Sequence, residues 1–262
     1  MTEFQRSGHV HGLEARRSCQ ENPCYRPHSH DSFSVGLIDA GSSVLSGPVG
    51  GSIRLEPGDV VVIPSGQVHA CNPDDGRWVY QMIHADQPWA ASLTPHGDHT
   101  PLFLGIQVLR REGLASVVEA FGDAVFADEA RENIETAAAV LLQELESVSP
   151  THLVTSEANR ELIARLSPVM ERLTNDESNP SLDELARLVE MSKYQLVRAM
   201  RRATGLSPMA WRQNARIIQA RRLLREGRAI ADTAYTLGFT DQSHFHRVFR
   251  SHVAVSPGGY RG

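Results

Sequence analysis

Apolar and polar positions change period along this chain, and the changes divide it. Between 24 and 84, short runs rich in Val, Ile and Leu stand between Gly, Pro and Asp turns: 32–38 (SFSVGLI), 42–47 (SSVLSG), 51–56 (GSIRLE), 59–64 (DVVVIP) and 77–83 (RWVYQMI). Alternation over four to eight residues bounded by such turns predicts strands, and their spacing predicts a small barrel or sandwich. Residues 1–20 are polar and read as irregular, and 89–105, with Pro95 and Pro101, reads as a loop.

Beyond 113 the period is helical. Leu114, Val117, Val118 and Phe121 share a face of 113–126, and Ile134, Ala138, Leu141, Leu142 and Leu145 share one of 130–148. Over 161–173, Leu162, Ile163, Leu166, Val169, Met170 and Leu173 form a third stripe. Such stripes predict helices packed on the strand-rich part. The polar run 174–180 (TNDESNP) ends in Pro180 and predicts a linker.

Two helical hairpins follow. Ser181 and Glu184 form a capping box, with Leu182, Leu185, Ala186 and Val189 facing inward. Ser192 caps 193–202, which Leu196 and Met200 anchor and Gly205 ends. Ser207 and Pro208 open a long helix, 208–225, stopped by Gly227. Ile230, Ala234 and Leu237 lie on one face, and Gly238 follows where a helix end takes positive φ. Thr240 or Asp241 supplies the next N-cap, and Phe245, Val248 and Phe249 face inward. Gln242, Ser243, His244, His246, Arg247 and Arg250 stay outward, as do Lys193, Tyr194, Val197, Arg198 and Arg201 on the earlier helix. Cationic and hydrogen-bonding side chains so placed suit base edges and phosphates. By periodicity alone they equally suit a solvated polar face.

Charge shifts that balance. The net −5 is unpromising for a nucleic-acid binder, but residues 176–262 hold 14 Lys/Arg against 8 Asp/Glu, whereas 1–175 hold 12 against 23. A basic module joined to an acidic partner domain has this asymmetry. At 262 residues there is room for two modest domains. No run of about 18 apolar residues predicts a membrane span. The N-terminus lacks the apolar core of a secretory signal, and three cysteines suggest a reducing cytoplasm rather than a disulfide framework.

The run 230–234 (IADTA), Gly238 and Phe239, 243–250 (SHFHRVFR), Ser256 and Pro257, and Tyr260 and Arg261 closely resemble the AraC/XylS family of transcription regulators, and the resemblance extends back to about Ser181. It implies two helix-turn-helix units joined by a linker helix, which Ala220, Arg221, Arg222, Leu223 and Leu224 match. The two recognition helices would enter major-groove segments of double-stranded DNA about 34 Å apart. Tyr194, Val197, Arg198, Ser243, His244, His246 and Arg247 would face bases, and Lys193, Arg201, Gln242 and Arg250 phosphates. The family also implies a small-molecule effector in the N-terminal domain, dimer contacts from the intervening helices, RNA polymerase as a partner, and activation as the commoner output.

His28, Ser29 and His30 followed by Gly41, and Gly58, Asp59, Pro64, Gly66 and His69, resemble the two motifs of the cupin fold. Cupin enzymes hold a metal with two His and a Glu from the first motif and one His from the second. Here Ser34 occupies the Glu position, Asn22 stands where a glycine is expected, and Asn72 comes one residue early. The preferred reading is an effector pocket near His28, His30, Phe33, His69, Trp78 and Tyr80. The alternative is a metal-dependent enzyme or metal sensor using His28, His30 and His69, with Cys71 assisting. A thiol sensor built on Cys24 and Cys71 has little support, since neither sits in a Cys-x-x-Cys motif. No phosphate-binding glycine loop or nucleophile elbow is present. The expectation is an α+β chain without a cofactor: a cupin-like β-barrel sensor (1–105), a helical dimerisation region (106–174), and an all-α double helix-turn-helix domain (175–262).

Overall fold

The computed structural model describes residues 2–21, 25–47, 51–154, 160–176 and 179–261. Asn22, Cys24, and Glu177 and Ser178 of the expected linker lie outside the described residues. The five expected strand runs form β3 (Phe33–Ala40), β4 (Ser43–Ser46), β5 (Ser52–Leu55), β6 (Val60–Ile63) and β8 (Trp78–Ala85). Sequence reasoning missed β1 (Thr2–Arg6), β2 (Glu14–Gln20), β7 (Ala70–Pro73), β9 (Ile106–Leu109) and β10 (His152–Val154). The expectation that 1–20 is irregular is therefore wrong. β2 pairs with β8 along its whole length, placing Glu14 opposite His84 and Ser18 opposite Tyr80. Its polar residues are buried at a functional boundary, so hydrophobic periodicity does not reveal it.

A seven-stranded sheet, β1-β2-β8-β3-β6-β9-β10, faces a three-stranded sheet, β5-β4-β7. Ile38, Leu45, Leu55, Val61, Ile63, Trp78, Tyr80, Ile106 and Val108 form one core inside. Phe33, Val35, Leu37, Val60, Val62 and Ile83 belong to a second core with α2 (Leu114–Phe126) and α3 (Arg131–Glu146). The large sheet is thus apolar on both faces, which explains the unbroken VVVI of β6. Each fully buried Leu, Val or Phe here contributes roughly 1.5–3 kcal/mol. The expected loop 89–105 begins inside α1 (Gln87–Ser92), whose N-cap Asp86 accepts from the Trp89 amide, and then makes two short 3-10 turns.

α4 (Arg160–Asn175) corrects a second expectation. Its stripe does not pack on the sensor: Leu166, Val169 and Leu173 form a core with Leu185, Ala186, Val189, Leu196 and Met200. Periodicity identifies a buried face but not what buries it. α5 (Leu182–Arg187) and α6 (Lys193–Thr204) make the first hairpin, and both carry complete capping boxes, Ser181 with Glu184 and Ser192 with Gln195. α7 (Pro208–Arg225) runs to the second hairpin, α8 (Ile230–Thr236) and α9 (Gln242–Val253), followed by α10 (Pro257–Arg261). Asp241, not Thr240, caps α9, accepting from the His244 amide at 2.7 Å. Ile217, Leu224, Ala234, Phe245, Phe249 and Tyr260 form the core of this half.

Candidate functional site

Between the two sheets lies a cavity with about 60 Å3 open to the centres of water molecules, room for a few of them. Ile38, Leu45, Leu55, Val61 and Ile63 line its apolar part. Its polar part carries His28, His30, His69 and His84, with Tyr25, Tyr80, Glu14 and Arg16. The lid is not barrel: Ile217, Ile218 and Arg221 of α7 and His252 and Val253 of α9 complete the lining.

The histidines are placed by backbone pairing. His28 and His69 form a bridge, amide to carbonyl at 3.0 and 2.8 Å, which brings their rings within 4.7 Å. The His30 ring lies 5.0 Å from that of His69 and 4.9 Å from that of His84. Nδ1 of His28, His30 and His69 meets the carbonyls of Arg26, Ser32 and Gln67 at 2.7, 3.0 and 3.0 Å. A carbonyl has no proton to give, so each Nδ1 donates and each Nε2 keeps its lone pair. His84 Nδ1 lies 2.6 Å from the Ser34 hydroxyl, at the position where cupin enzymes place Glu. Burial is the leading cause that pushes all four imidazoles below their usual range; neighbouring rings add to it at His28, His30 and His84, and Arg221 at His30 and His84. They are neutral at pH 7.

Anchored Nδ1 atoms are what ligating histidines need. However, among the described residues no group of three or more His, Cys, Asp or Glu side chains is disposed to hold an ion, and no carboxylate replaces Ser34. Burial pushes the Cys71 thiol up to about 11, which leaves it unreactive.

Of the six expected effector residues, His28, His30, His69, Trp78 and Tyr80 line the cavity. Phe33 does not. Alternation along β3 sends Ser34, Gly36 and Ile38 inward and Phe33 outward, edge-to-face on Phe103 at 5.3 Å. His84 was missed although the signal was present, since it continues the period-two face of Trp78 and Tyr80 on β8.

Polar contacts tie barrel to helices around the cavity mouth. The Glu14 carboxylate accepts from Arg221 at 2.6 Å and from the Tyr260 hydroxyl at 2.8 Å. Asp31 meets Arg222 at 3.1 Å and Arg221 at 3.7 Å. The Ser29 amide donates to Asn214, whose own amide donates back to the Ser29 hydroxyl at 2.9 Å. Arg16 donates to the Val253 carbonyl and Arg6 to that of Tyr260.

On the helices, Lys193, Tyr194, Arg198 and Arg201 of α6 are exposed and Val197 is half-buried. Tyr194 is 73% exposed. Gln242, Ser243, Arg247 and Arg250 of α9 are exposed, while His244 and His246 are half-buried. His244 is held by the Thr240 hydroxyl at 3.1 Å. Lys193 faces Asp183 at 3.9 Å, an exposed pair of little energetic weight.

Comparison with known proteins agrees with this two-part build. A family model described as an AraC-like ligand binding domain matches residues 10–145, and one described as a helix-turn-helix domain matches 185–262. The chain is 28% identical over 250 residues to the HTH-type transcriptional regulator YbfI of Bacillus subtilis, covering 92% of this chain and 88% of that one. It is 24% identical to the arabinose operon regulatory protein of Salmonella typhimurium, covering 90% and 85%. Unsaturated-fatty-acid-bound ToxT of Vibrio cholerae shares the fold, with a TM-score of 0.57 at 16% identity over 98% of this chain and 97% of ToxT. The chain belongs to the AraC/XylS family: it is a DNA-binding transcription regulator with an N-terminal ligand-binding domain.

Proposed function

We propose that a small effector in the barrel cavity sets how α6 and α9 are presented to double-stranded DNA. One observation carries this reading: the cavity is walled partly by α7 and α9, so a ligand there touches the DNA-binding half directly. A ligand shifts a conformational balance only by binding one state better, and contacts from both halves supply that difference. Tyr194, Val197, Arg198, Ser243, His244, His246 and Arg247 take the base-reading role, and Lys193, Arg201, Gln242 and Arg250 hold phosphates. Two copies pair through the helices after the barrel, RNA polymerase is the downstream partner, and the protein acts in the cytoplasm. Catalysis and a metal cofactor are not needed for any of these steps.

The test is native mass spectrometry of protein purified without chelators, followed by fluorescence anisotropy on pooled promoter DNA. A co-purifying organic mass whose removal changes DNA affinity supports effector control. Stoichiometric metal whose removal changes DNA binding overturns the metal-free reading.

A further inference from the structure

Two donors buried in the cavity wall, on Arg16 and Trp78, find no acceptor among the described residues. Both oxygens of Glu14 are taken, by Arg221 and Tyr260, and Arg221 has Glu14 and Asp31 as counter-charges. Arg16, two residues along the same strand, has no equivalent. It is 7% exposed and lines the cavity; one Nη donates to the Val253 carbonyl, the guanidinium lies 5.4 Å above the Tyr80 ring, and Nε has no acceptor among the described residues. Glu14, the nearby carboxylate that acts on it, is already committed to Arg221 and Tyr260. The indole Nε1 of Trp78, also on the cavity wall, is a second buried donor without an acceptor among the described residues. A buried guanidinium cannot shed its proton, so one without a carboxylate of its own leaves a desolvation cost that an anion or strong acceptor relieves.

We propose that the cavity takes a small organic carboxylate, its head on Arg16 and its apolar body against Ile38, Leu45, Leu55, Val61 and Ile63. Arg16 then also transmits the signal. Val253 is the last residue of α9, so the ligand head and the end of the second recognition helix share one donor group. A carboxylate that draws the guanidinium into the cavity releases the α9 terminus. A bidentate charged partner outbids a single neutral carbonyl. This transmission step rests on the effector-control reading above; the ligand class does not.

The experiment is calorimetric titration of the full chain with straight-chain carboxylates from butanoate to decanoate, each beside the alcohol of equal length. At least one acid is expected to bind tenfold or more tightly than its alcohol, and Arg16→Gln is expected to abolish that preference while the alcohol's affinity stays put. Should Arg16→Gln fail to fold, Leu55→Trp, which fills the apolar end, is expected to lose the longer acids first. Acid and alcohol binding alike in the wild-type chain, or no acid binding at all, overturns the ligand class. Anisotropy on promoter DNA separates the second claim: acid-selective binding that leaves DNA affinity unchanged overturns effector control and the Arg16 relay, but not the carboxylate site.

Discussion

Replacing Glu14 by Gln tests the ion pair that joins β2 to α7. The side chains of Glu14 and Arg221 are 3% and 5% exposed, so solvent screens their 2.6 Å contact little. Removing one partner of such a pair typically costs about 3–5 kcal/mol, because the other charge stays buried. Arg221 keeps Asp31 at 3.7 Å, but that carboxylate also serves Arg222 and Arg225, so it recovers only about 1 kcal/mol. The expected loss is therefore about 3 kcal/mol, or roughly 6–12 °C in Tm for a unit this size. Arg221→Met leaves the Glu14 carboxylate with the Tyr260 hydroxyl and the more distant Arg16, and should cost about as much. In the double variant both members of the pair are gone, so its loss should fall short of the sum of the two single losses by about 3 kcal/mol. Urea titrations of the four proteins measure the cycle, and calorimetry should show the barrel and helical halves melting apart once the pair is gone. Losses that add to within about 0.5 kcal/mol would refute the claim that this pair couples the halves.

Other expectations are simpler to state. His28, His30, His69 and His84 titrate below the 6.5 of a free imidazole in the folded chain, so the unfolded chain binds more protons as pH falls below 6.5. Stability should hold above that pH and drop below it by up to about 1.4 kcal/mol per ring per pH unit, as urea midpoints at pH 7.5 and 5.5 would register. Arg247→Ala should cost about 1–3 kcal/mol on the operator and relax one base position, whereas equal losses on operator and random DNA would move Arg247 to the phosphate group. Gly41→Ala and Gly58→Ala form a matched pair. Both glycines have positive φ (75° and 89°), but a Cβ on Gly41 would sit 2.2 Å from the Arg77 carbonyl oxygen, while one on Gly58 meets nothing within 4 Å. The second should cost about 1–2 kcal/mol from backbone strain alone, and the first clearly more in the same denaturation assay.

The sequence makes the helical half legible because its signals are local. Caps at Ser181, Ser192 and Ser207, stops at Gly205 and Gly238, and buried stripes all act within a few residues, and the structure keeps each of them. What was hidden depends on contacts distant in the chain. Glu14 and Arg16 look like surface residues until α7 and α10 close over them, 207 and 246 residues away by the Glu14 bonds. Phe33 was misplaced because its strand is buried on both faces, so hydrophobicity alone does not tell cavity from outer core. His84 was legible by alternation, but only with the strand's inward face already known.

The membership of α4 in the first hairpin's core bears on how such regulators recombine. A crossover at residue 175 looks conservative, since it separates a polar junction from two intact hairpins. It would nonetheless strip Leu166, Val169 and Leu173 from Leu185, Leu196 and Met200, all of them within 2% of full burial, and leave a hydrophobic trough on the inherited module. The transferable DNA-binding unit includes α4, and a swap of sensors that respects this carries its own keystone helix with it.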